Sequence, residues 1–76
     1  MAHFYFHIRD GDKLILDDEG RVFDLVEFAK FEALASVRDL MRDALLANKP
    51  VQGDAIILAD ESGNEIAVFS IPKPLS

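Results

Sequence analysis

One stretch decides most of what this chain can become. Residues 24–47, DLVEFAKFEALASVRDLMRDALLA, repeat apolar positions at the three- and four-residue spacing of an α-helix, with no glycine or proline to interrupt them. Asp24 and Glu27 stand three residues apart, as in a capping box, and Phe23 and Phe28 flank them at the positions of a hydrophobic staple. Asn48 fits a C-terminal cap, and Pro50 cannot continue the helix. At 1.5 Å per residue such a helix is roughly 35 Å long, which is long for a chain of 76 residues. It needs a partner layer to bury its apolar stripe.

The flanks supply that layer as strands. Along residues 3–9, Phe4, Phe6 and Ile8 point one way, and His3, Tyr5, His7 and Arg9 the other, which is the period of a half-buried strand. Asp10-Gly11 is a hairpin signal, and Leu14-Ile15-Leu16 forms the returning strand. A two-residue loop pairs Arg9 with Asp12 and faces Phe6 with Ile15. A three-residue loop pairs Ile8 with Leu14 and Phe6 with Leu16, buries more apolar surface and is the register expected. Asp17-Asp18-Glu19-Gly20 is a turn. After the helix, Val51-Gln52-Gly53 connects to a third strand over 54–60. A turn over 61–64 leads to a fourth strand over 65–71, which Pro72 and Pro74 end, with fraying beyond. LILDDEGRVF at 14–23 echoes IILADESGNEIAVF at 56–69, as two hairpins with similar turn chemistry would.

The expected fold is therefore α+β in the order ββαββ. Two antiparallel hairpins form a four-stranded sheet with one long helix packed on one face, all in a single domain over 1–76. The expected core is Phe4, Phe6, Ile8, Leu14, Leu16, Val26, Ala33, Val37, Leu40, Ile56, Leu58 and Phe69.

The helix has two apolar sides. Val26, Ala29, Ala33, Val37, Leu40, Met41 and Ala44 share the side expected against the sheet, where small residues allow close approach. The opposite side carries Phe28, Phe31 and Ala35, edged by Leu34, Leu45 and Leu46, with Arg38, Asp39 and Arg42 among them. Two phenylalanines one turn apart with leucines close by mark an interaction patch. The expected use is a homodimer interface built from Phe28, Phe31, Leu34, Ala35, Leu45 and Leu46. The alternative is that the sheet curls, or that Ile71 and Leu75 fold over these residues within one chain.

Composition limits the chemistry. The net charge is −6, and the lysines and arginines are scattered, so no phosphate-binding patch is visible and nucleic acid is not an expected partner. Without cysteine there is no disulfide, thiolate metal site or thiol nucleophile. Met1-Ala2-His3 leads into alternation rather than a continuous apolar region, and no run approaches the roughly 18 residues that span a bilayer. A cytoplasmic protein with no membrane partner is expected. His3 and His7 would co-ligate a metal on a helix. On a strand they lie roughly 13 Å apart, too far to share a zinc ion. Asp10-Gly11-Asp12 and Asp17-Asp18-Glu19-Gly20 lack the order of a calcium loop and read as turn acids, as does Asp60-Glu61. Ser36 and Ser62 have no histidine brought beside them, and the glycines are single. No catalytic, metal or cofactor residue is assigned, and an enzyme is not expected.

The motifs FYFHIRDGD at 4–12, DDEG at 17–20, Asp24-Leu25, Ala29, Glu32-Ala33-Leu34 and ADESG at 59–63 occur here in one order and spacing. In these the chain resembles a family of short proteins, about 70–90 residues long, abundant in rhizobia and related alphaproteobacteria and known as a domain of unknown function. The resemblance implies the ββαββ order and brings no activity, ligand or catalytic residue. The chain departs from the family pattern at Phe28 and Phe31, where small residues are commoner. A fainter likeness, in element order and acidic balance only, is to the partner-binding domain of HicB-like antitoxins, and fold alone does not carry function.

A non-catalytic, self-associating interaction module is the first expectation, with a possible protein partner, and an antitoxin-like or regulatory binder of one protein the second. The third is a weak metal binder or small enzyme using His7 with Asp10 or Asp12. Metal analysis after zinc loading should find less than one equivalent, unchanged in His7→Ala. A stoichiometric metal lost in that variant would reverse the order of these expectations.

Overall fold

The computed structural model describes residues 1–72. Within them the chain runs β1 (Ala2–Asp10), β2 (Lys13–Ile15), β3 (Arg21–Phe23), α1 (Val26–Ala47), β4 (Ala55–Asp60) and β5 (Glu65–Ser70). All strand pairings are antiparallel, in the order β2-β1-β4-β5, with β3 beside β1 as well. The α+β class and the single helix agree with the sequence. The strand count does not: there are five strands, because the second expected strand is broken in two. β2 covers Ile8–Asp10 of β1 and β3 covers Ala2–Phe4, with residues 16–20 bulging out opposite residues 5–7.

The first hairpin takes neither expected register. Asp10 pairs with Lys13, Arg9 with Leu14 and Ile8 with Ile15. Gly11, at φ 63°, is the first of the two central turn residues rather than the second, the place a type II′ turn reserves for glycine. Leu14 thus shares the face of Arg9. Ile15 shares the helix side with Ile8, but α1 touches β1, β3, β4 and β5 and not β2. Leu14 and Leu16, expected in the core, are 44% and 60% exposed.

The start of α1 is also corrected. The capping residue is Leu25, without a side-chain cap, so the Asp24–Glu27 box does not form. Phe23, expected as a staple against the helix, instead ends β3, where it packs on Phe4 and Phe6 at ring separations of 6.2 and 6.1 Å. The other end is as expected. Asn48 is left-handed at φ 54°, and the N–H groups of Asn48 and Lys49 close on the carbonyls of Leu45 and Ala44, a Schellman-type finish.

The core lies between α1 and the sheet. Ala29, Ala33 and Val37 meet Phe4, Ile56 and Leu58, with Phe6 and Phe69 bridging the two halves. Phe6, Ile8, Val26, Leu40 and Phe69 are half-buried rather than fully enclosed. Val51 and Ile71 complete the core beside Ala33 and Val37, so Ile71 does not cover the outer helix face; Leu75 and Pro74 lie outside the described residues. Gly53 is held at φ 91°, where a side chain would meet Ile8 at 2.8 Å. At the other end of the sheet β5 carries a bulge: Leu58 pairs with Ala67 but Ala59 with Glu65, leaving Ile66 as the extra residue.

Leu58 is fully enclosed. Leu58→Ala should lower unfolding stability by about 2–5 kcal/mol, read from urea titration. A loss below about 1 kcal/mol would show that the centre of β4 is not the packing centre.

Candidate functional site

The outer face of α1 follows from the helical period. The sheet takes the side that carries Ala29, Ala33 and Val37, so residues half a turn away stand in solvent. Phe28 is 53% exposed, Phe31 77%, Leu34 45%, Leu45 81% and Leu46 78%, and Ala35 is exposed too. All six residues assigned to the interface from sequence are therefore left uncovered by the described residues of their own chain. Arg38, Asp39 and Arg42 lie among them, Arg42 donating to Asp39 across 3.4 Å. Met41, expected against the sheet, is 38% exposed at the margin.

The far face of the sheet carries the polar side of β1. Tyr5 lies between the two histidines, its ring 4.9 Å from His3 and 6.2 Å from His7, nearly parallel to both. The histidines therefore do not converge on a common point. Among the described residues no group of three histidine, cysteine or acidic side chains is placed to hold a metal. Ile57 is buried on this face, paired across the ladder with His7 and Val68, and Val68 is itself half exposed.

The polar centre of this region is Asp17, read from sequence as a turn acid but not as a partner of β1. Where β2 and β3 leave a gap along β1, its carboxylate accepts the N–H of Phe6 (3.1 Å), and also those of Glu19 and Gly20 (3.2 Å each). Its own N–H donates to His7 Nδ1 at 3.0 Å. A backbone N–H only donates, so the neutral His7 ring carries its proton on Nε2. His3 Nε2 reaches the Glu19 carbonyl at 2.8 Å, so the two histidines hold the bulge at both ends. Gly20 closes it at φ 67°; a side chain there would meet the Phe4 carbonyl at 2.6 Å and the His3 ring at 2.7 Å. The acid beside His7 is thus Asp17, not Asp10 or Asp12. Asp60 does similar work in the second turn, accepting from Ser62 and Asn64. The repeated aspartate of the two echoing segments was the available signal, since such residues cap the turn that follows them.

Both carboxyls are shifted down. For Asp17, burial acts to raise the pKa but is outweighed by the N–H groups of Phe6, Gly20 and Glu19 and by the neighbouring His7. For Asp60 the Asn64 N–H is the main cause. One further concavity, an open groove of about 460 Å³, lies where the end of α1 meets the connector. Leu40, Ala44 and Val51 form its apolar part, with Asp10, Asp43 and Lys49 around it. No helix among the described residues is long and apolar enough to cross a membrane.

What these features define is a two-layer α+β domain whose single helix is apolar on both sides. The chain belongs to the family described as a domain of unknown function, DUF6894, whose pattern matches residues 3–72. Comparison with curated proteins and with solved structures returned no significant match.

Asp17 sets a dependence on acid. Its folded pKa lies below the ordinary 3.8. Its stabilising effect is therefore fully present above that value and is lost as pH falls through the lower folded value. Asp17→Asn should be less stable than the parent at pH 7 and flatten the loss of stability as the pH falls below the ordinary carboxylate value of 3.8. An unchanged acid limb in urea titrations across that range would show that Asp17 does not govern it.

Proposed function

We propose that this domain is a non-catalytic protein-interaction module that forms a homodimer through the outer face of α1. One observation supports it above the others: Phe31, Leu45 and Leu46 are each at least 77% exposed on a helix whose other side is already packed. Fully burying one phenylalanine contributes roughly 1.5–3 kcal/mol. Two phenylalanines and two leucines from each chain would offset much of an association cost of about 4–15 kcal/mol. The net charge of −6 opposes a phosphate backbone, which favours protein over nucleic acid as the partner. The cytoplasm is the proposed place of action, compatible with a chain that has no cysteine.

Light scattering over a micromolar concentration series should give twice the 8.5 kDa mass of the chain. Phe31→Lys should give the monomer mass while keeping the circular dichroism spectrum and a stability within about 0.5 kcal/mol, as expected for a surface change. A variant that stays dimeric would remove this face from consideration.

A further inference from the structure

The outer face of α1 is apolar at its two ends and charged between them. Phe28 and Phe31 stand at the N-terminal end and Leu45 and Leu46 at the C-terminal end, while Arg38, Asp39 and Arg42 are exposed in the middle. We infer that this face takes a second copy of the chain with its helix running in the opposite direction, the two-fold axis passing between Arg38 and Asp39. This rests on the self-association proposed above and adds its geometry.

The axis lies midway between Phe31 and Leu46, so an antiparallel pair sets Phe31 of each chain against Leu46 of the other. Both apolar ends, about 22 Å apart at helical rise, are then covered at once. The same axis puts Arg38 opposite Asp39 of the second copy and Asp39 opposite its Arg38, two equivalent pairs of opposite charges, with Asp39 already beside Arg42 of its own chain. Arg42 falls opposite Ala35, whose methyl group leaves room for the arginine stem to lie along the neighbouring helix while its charge reaches water. A parallel pair lays Arg38 on Arg38 and Arg42 on Arg42, like charges facing each other along the seam. Antiparallel helices also oppose their macrodipoles, and parallel ones align them. Either direction covers apolar groups with apolar groups, and it is charge, side-chain size and the helix dipoles that select the antiparallel one.

The chain contains no cysteine, so single introduced cysteines report the direction cleanly. Arg38→Cys and Asp39→Cys place the new thiols beside the axis, and mild oxidation should convert each variant to a covalent dimer. In Leu45→Cys the two thiols lie thirteen residues apart along the pair, about 20 Å. That is far beyond the roughly 7 Å Cα separation a disulfide tolerates, so no covalent dimer should form. Light scattering of the reduced variants establishes that each still associates. A dimer that cross-links through Leu45→Cys, or through neither Arg38→Cys nor Asp39→Cys, overturns the antiparallel arrangement and leaves self-association standing. A parent chain that is monomeric throughout overturns both.

Discussion

The close seating of α1 on β4 is the contact on which the remaining architecture depends. Ala29 and Ala33 present only methyl groups to the sheet and are fully buried, so the helix backbone comes down between the larger side chains of Phe4, Leu58, Phe6 and Phe69. Small residues on the helix and large ones on the sheet interlock at native packing density. That arrangement buries one stripe of the helix and no more. With one helix and one sheet among the described residues, nothing remains to cover the helix's other side. The exposure of Phe31 and Leu45 thus follows from the same feature that builds the core.

The edge of the sheet is held by a different device. An unbroken edge strand opposite β1 would satisfy every N–H along that edge, but here the chain leaves β1 at Leu16 and returns at Arg21. A buried N–H without a partner costs about 1–3 kcal/mol. The Asp17 carboxylate takes the Phe6 N–H and closes its own turn through Glu19 and Gly20. His3 and His7 complete the arrangement from the β1 side. The pair of histidines that invites a metal-site interpretation is thus occupied in holding backbone.

Where period and length decide an element, the sequence was legible. The alternation of Phe4, Phe6 and Ile8, the helical spacing to Ala47, the Asn48 cap and the apolar run of β4 all appear as read, and so does the uncovered state of Phe28, Phe31, Leu34, Ala35, Leu45 and Leu46. What misled was information that lives between elements. A glycine permits positive φ at either central turn position, and the side chains alone do not say which, so the Ile8–Ile15 register was missed. Burying Leu14 and Leu16 presumed a helix lying over β2, and α1 lies elsewhere. Phe23 could staple the helix or end a strand, and its packing on Phe4 and Phe6 decided for the strand. The Asp24–Glu27 pair failed as a cap for the same reason, since pairing Phe23 with Ala2 delays the first helical residue to Val26.

A domain of 76 residues stands near the size at which a single core is barely sufficient. Part of this one's apolar content is spent outside that core. The most exposed side chains of the outer helix face stand apart from that core: Phe31, Leu45 and Leu46 belong to neither buried cluster. Large apolar groups in water add nothing to the stability of the monomer. Among the described residues they take no part in the core, and a second layer of helix against this face would turn each from an exposed group into a buried one. Association would supply through α1 the second core that the sheet, with one helix available to it, cannot form alone.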